Sequence, residues 1–120
     1  MNPNPRACMA YIAGCLISGK NASSVYDFFQ GKHIIISGTI QAGNVTVYDH
    51  DQGCHISGSG SSGNLSLYHH GDGHHISLQV NGNQFSGYDH GTGSHYSGNV
   101  NGVSISLYDH AEGSHFNFSI

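Results

Sequence analysis

Four tyrosines, Tyr48, Tyr68, Tyr88 and Tyr108, recur every 20 residues. Each opens nearly the same phrase: YDHDQGCHISG, YHHGDGHHISL, YDHGTGSHYSG and YDHAEGSHFNF. A period this short cannot bury a core within one copy, so it demands an architecture in which neighbouring copies complete one another. VYDFFQGKH around Tyr26 is a divergent copy, 22 residues ahead of Tyr48. Its two extra residues belong in HIIISG, as a bulge or a longer strand. GCLISG at 14–19 nearly repeats GCHISG at 53–58, which makes the N-terminal stretch a degraded further copy. The chain is then one domain. An apolar segment at 7–19 precedes units near 20–42, 43–62, 63–82, 83–102 and 103–120.

Each unit holds two alternating segments, the signature of half-buried strands, and no 3.6-residue period appears after residue 20. The links QAGN, SSGN, NGNQ and NGVS separate the units. Asn-Gly between alternating segments is a strong hairpin signal. Taking Asn101-Gly102 as a two-residue turn sets Val100 opposite Val103. Taking 51–54 as a four-residue loop sets His50 opposite His55, Asp49 opposite Ile56 and Val47 opposite Gly58. Because side chains alternate, one face collects Val45, Val47, Ile56, Leu65, Leu67, Ile76, Leu78, Val80, Phe85, Tyr96, Val100, Ile105, Leu107, Phe116, Phe118 and Ile120. The other collects the repeated Tyr, His and Ser residues.

A sheet with one dry face must cover it. The expected fold is all-β: an antiparallel meander closed into a barrel or a two-layer sheet. The alternative is a β-solenoid with one coil per unit, which buries the same apolar set. Glycines on the dry face (Gly58, Gly60, Gly87, Gly98) suit strong curvature.

Composition narrows the function. Three Lys and Arg residues leave no basic surface for nucleic acid or anionic lipid. No stretch is long enough for a transmembrane helix. The N-terminus (MNPNPR, then ACMAYIAGC) has the outline of a very short signal peptide, and Ile12–Cys15 that of a lipoprotein cleavage box. The apolar run is short, Arg6 is its sole charge, and the GCLISG match places it in the fold. An extracellular or cell-surface setting is expected. Three cysteines, Cys8, Cys15 and Cys54, are too few for a disulfide framework and read as buried free thiols, with one bridge plus one free thiol as the alternative.

The eleven histidines carry the chemistry. The candidate binding face is Tyr48, His50, His55; Tyr68, His70, His75; Tyr88, His90, His95; and Tyr108, His110, His115. The plainest account is a good turn used repeatedly. A metal is the second, with His70, His74 and His75 the best candidates. A closed site needs three or four converging ligands, and alternation sends His69 to the face opposite His70. A multivalent sugar-binding surface is the third, through stacking on Tyr and hydrogen bonds from polar neighbours. Asp89, on the opposite face from Tyr88, is expected to accept loop amides. Catalysis is not expected, because adjacent Asp and His point to opposite faces. Protonating all eleven histidines moves the formal charge from −4 to +7, so acid should weaken the fold where imidazoles face each other.

The leading expectation is a non-enzymatic, self-assembling structural subunit of a fibre, appendage or matrix, with no cofactor. Its partner would be a second copy of the chain. The sheet edge HFNFSI has no Lys or Pro to block pairing, and the apolar N-terminal segment could complement such an edge in the next subunit. In a closed barrel the first and last strands pair with each other instead. The alternatives are a multivalent carbohydrate-binding module, with a glycan as partner, and a His-pair metal binder.

Overall fold

The computed structural model describes residues 1–61 and 63–120; Ser62, in the link SSGN, lies outside them. One helix, α1 (Pro3–Ser18), is followed by ten strands. They form five hairpins: β1 (Ser24–Asp27) with β2 (Lys32–Gln41), β3 (Asn44–Asp49) with β4 (Cys54–Ser61), β5 (Asn64–His69) with β6 (His74–Asn81), β7 (Gln84–Asp89) with β8 (Ser94–Asn101), and β9 (Ser104–Asp109) with β10 (Ser114–Ser119). Every strand pairs antiparallel with its sequence neighbours, and β1 pairs with β10, so the meander closes into a barrel. The two extra residues of the first unit lie in β2, ten residues long where β4, β6 and β8 have eight.

The apolar face lines the lumen. Of the sixteen residues assigned to it, all are buried except Val80 and Ile120, which are partly buried against the same core. The register differs from expectation at both turn types. Asn101 pairs with Ser104, and Val100 with Ile105 rather than Val103. Asp49 pairs with Cys54, Tyr48 with His55 and Val47 with Ile56. Both slips are by two positions, and because strand side chains alternate with period two they leave the faces unchanged. The cause is where the glycine sits. Gly102 takes the first central position of its turn at φ +64, so Gly102-Val103 form the turn rather than Asn101-Gly102.

The N-terminal segment is a correction of kind. It is neither a strand nor a degraded repeat, and it packs against its own chain's strands. It is a helix inside the barrel. Asn4 to Cys15 are buried without a break, and α1 packs against β1, β2, β6, β8, β9 and β10. Eight strands leave a lumen that side chains alone can fill. Ten leave space, and a helix apolar on every side occupies it. Pro3 at the first helical position starts α1, and Gly19 at φ 72 ends it by donating its N–H to the Cys15 carbonyl.

Candidate functional site

The repeated phrase builds two concentric rings at the end of the barrel where α1 begins. The inner ring comes from the residue after each tyrosine: Asp27, Asp49, His69, Asp89 and Asp109, all buried. Each turn closes by a backbone bond from the Gly four residues on, such as Gly53 N–H to the Asp49 carbonyl at 2.8 Å, with Gly53 at φ +69. The aspartate side chain caps the same turn. Asp49 Oδ1 accepts from Asp51 N at 2.8 Å and Gln52 N at 3.1 Å, and Asp89 Oδ1 accepts from Gly91 N at 3.0 Å. The spacing Asp-x-x-x-Gly is the requirement of this turn: a short acceptor at one end and a left-handed residue at the other.

The second carboxylate oxygens turn to the plug or the loop. Asp49 Oδ2 accepts from Asn4 at 3.0 Å. Asp109 Oδ2 accepts from the Met1 amine at 2.8 Å and from Arg6 at 3.4 Å. Asp27 is served by Gln30 at 2.7 Å and Asp89 by Thr92 at 3.0 Å. The helix has no acid in its own first turn, so the barrel supplies the negative charge that a helix N-terminus favours.

The outer ring is an aromatic collar. Each tyrosine is half-buried and stands between two exposed imidazoles in edge-to-face contact. Tyr48 has ring centroids 4.8 Å from His50 and 4.7 Å from His55. Tyr68 lies 4.8 Å from His70 and 4.9 Å from His75. Tyr88 is 4.9 Å from His90 and 4.8 Å from His95, and Tyr108 is 4.8 Å from His110 and 4.7 Å from His115. The divergent copy gives a fifth unit, Tyr26 with Phe28 at 4.8 Å and His33 at 4.7 Å. The frame Tyr-Asp-x-x-x-Gly-x-His in VYDFFQGKH was the signal for that unit.

Units are stitched together by main chain. His70 N–H donates to the His55 carbonyl at 3.0 Å, His90 to His75 at 3.0 Å and His110 to His95 at 3.2 Å. Turn histidines also reach serines of the preceding hairpin, with His50 Nε2 2.8 Å from Ser37 Oγ and His70 Nε2 3.1 Å from Ser57 Oγ. The imidazoles of one unit therefore do not face each other; the tyrosine separates them. Within a unit the facing pair is thereby removed, while between units the register sets His55 beside His70, His75 beside His90 and His95 beside His110.

Metal binding finds no support in the geometry. Among the described residues, no group of three His, Cys, Asp or Glu side chains is placed to hold one ion. His70 turns to Ser57, His75 to Tyr68, and His74 to Asp89 at 3.4 Å and Asp72 at 3.9 Å. The three cysteines are free thiols. Burial, then the charge of Asp49, pushes the Cys8 and Cys54 thiols up, which keeps them protonated and weakly nucleophilic.

The register also orders the outer surface into rows. Asn64 pairs with Gln79, Gln79 with Ser86, Ser86 with Ser97, Ser97 with Tyr108 and Tyr108 with His115. A shorter row runs Thr46, Ser57, Tyr68, His75. Rows of short polar side chains thus end on collar units. No protein-family model, curated protein or solved structure matches the chain.

Proposed function

We propose that the protein is a non-enzymatic, multivalent carbohydrate-binding module whose working surface is the collar. The supporting observation is repetition at fixed geometry: five Tyr-centred aromatic units at one level around a closed barrel. Tyrosine offers a ring that stacks on apolar sugar faces, and neighbouring imidazoles, serines and amides hydrogen-bond hydroxyls. Weak sites held at constant spacing gain by avidity on a repetitive ligand. A glycan array at pH 7.5, with competition by free sugar, tests this. Specific, competable binding by a protein of discrete mass is expected; a flat array overturns it.

A second reading is a self-assembling structural subunit. Phe28 and Phe29 favour it, at 60 % and 65 % exposed on the first turn, together with a surface nearly free of repelling charge. Closure of β1 on β10 leaves strand-edge addition without a free edge, so such assembly would run through the outer face. Sedimentation velocity of untagged protein with chelator present tests it: large species support assembly, and a sharp monomer excludes it.

A further inference from the structure

We infer that one row is a track for a single extended, neutral, hydroxyl-rich chain, such as a linear oligosaccharide, running across the barrel from β5 to β10. The inference rests on the carbohydrate reading and names where and how the chain lies. A groove of about 750 Å³ follows this path, lined by the row from Asn64 to His115 and by Asn81, Gln84, Asn99 and Ser106 beside it.

The groove follows from the register. Ser86 and Ser97 sit opposite each other at its centre. Along the strands they are flanked by the longer pairs Gln84 with Asn99 on one side and Tyr88 with His95 on the other. Short side chains flanked by long ones make a furrow, directed across the strands. Five strand spacings of ~4.8 Å give it a length on the order of 24 Å, suited to a chain of several units.

The lining chooses the ligand class. It holds amides, hydroxyls, one tyrosine and one imidazole, with Val80 and Phe85 as its apolar members and, among the described residues, no Asp, Glu, Lys or Arg. Amides and hydroxyls donate and accept equally, as a polyol requires. A polyanion would find no counter-charge at neutral pH. An extended peptide binding by strand addition would find no free edge in the closed sheet. At one end Tyr108 and His115 supply the collar unit on which a terminal ring can stack.

Isothermal titration calorimetry at pH 7.5 with neutral glucan and chitin oligosaccharides, from dimers to octamers, tests the track. Affinity should rise with length and then level off, with one chain per protein. Ser97→Trp, on the outer face, should abolish binding, and Gln79→Ala with Asn99→Ala should weaken it at least tenfold, all with unchanged thermal unfolding. Binding that is independent of length, takes several chains per barrel and survives Ser97→Trp overturns the track but leaves the collar reading standing. Absence of binding by any neutral glycan overturns both. Preferential binding of a heparin fragment or an uncharged peptide overturns the ligand class.

Discussion

His69 is the one member of the inner ring that is not an aspartate. It caps its turn differently: Nδ1 accepts from Asp72 N–H at 3.0 Å, and Nε2 lies 3.8 Å from Cys54 Sγ. An acceptor Nδ1 means a neutral imidazole with its proton on Nε2. Burial is the main cause that lowers the His69 pKa, against the opposing pull of Asp72 and Asp49. The sign follows from proton binding. Above the ordinary value of ~6.5 neither state holds the proton, and stability is level. As pH falls below that, the unfolded chain takes up a proton that the folded chain resists, and stability drops until the lowered folded value is reached. Acid weakening is thus expected from this buried histidine. His69→Asp, which restores the repeat's own residue, should shrink the fall in Tm between pH 7 and pH 5. An equal fall in both proteins would show that the sensitivity lies elsewhere. Asp109 provides the complementary case. Its removal strands Arg6, which is 2 % exposed and stacked 3.4 Å from the centroid of the Phe116 ring. Asp109→Ala should cost about 3–5 kcal/mol in urea unfolding, as for a buried charge left unpaired. Asp27→Ala, whose second oxygen among the described residues meets only Gln30, should cost about 1–3 kcal/mol.

At the scale of elements, the ladder from β2 to β10 is regular except between β6 and β7. Ser77 and Leu78 drop out of the ladder there. The Tyr96 hydroxyl reaches into the gap and donates to the Ser77 carbonyl at 2.6 Å, while Tyr88 N–H donates to Ser77 Oγ at 2.9 Å. Tyr96 fits because Gly87 is opposite it. A Cβ on Gly87 would lie 1.9 Å from the Ser77 carbonyl oxygen and 2.5 Å from the Tyr96 hydroxyl. Tyr96→Phe should cost about 1–2 kcal/mol by leaving that carbonyl unpaired. Gly87→Ala should cost more, about 3 kcal/mol, because backbone must move; the reverse order in chemical denaturation would refute this account of the gap. Strand faces were legible in the sequence because parity survives a slip by two. Registers were not, because Asn-Gly marks a turn without saying which residue takes its first central position. The collar was legible as a set of residues, but its arrangement was not: placing His50 opposite His55 hid the tyrosine between them. Helix α1 escaped detection for a physical reason. A helix buried on every side has no polar face, so it shows no 3.6-residue period. Pro3, Gly19 and an Ala-rich, β-branch-poor stretch between them were the remaining signals. The groove was invisible for a related reason, since it depends on which residues of six strands stand side by side.

Over the whole molecule, closure and filling depend on each other. The β1–β10 seam holds only two register pairs, Tyr26 with Ser119 and Asp27 with Phe118, joined by a bond from Phe28 N–H to the Asn117 carbonyl at 3.2 Å. Other neighbouring strands share four to six pairs. The seam is therefore the weakest line of the barrel, yet the helix lies behind it. Arg6 packs on Phe116 of β10, and Tyr11 donates to the Ala22 carbonyl just before β1. The plug thus anchors both sides of the seam. Local openings should expose the seam but not the helix. Native-state hydrogen exchange should find the seam-facing amides of Tyr26 and Phe28 exchanging faster than those of β5 and β8. The amides of Ala10 to Ala13, deep in the lumen, should exchange only with global unfolding, at the free energy measured by denaturant. If instead the helix exchanges early while the strands stay protected, the barrel is stable without its plug, and the lumen must tolerate emptying. That outcome would contradict the premise that ten strands enclose more space than their own side chains fill.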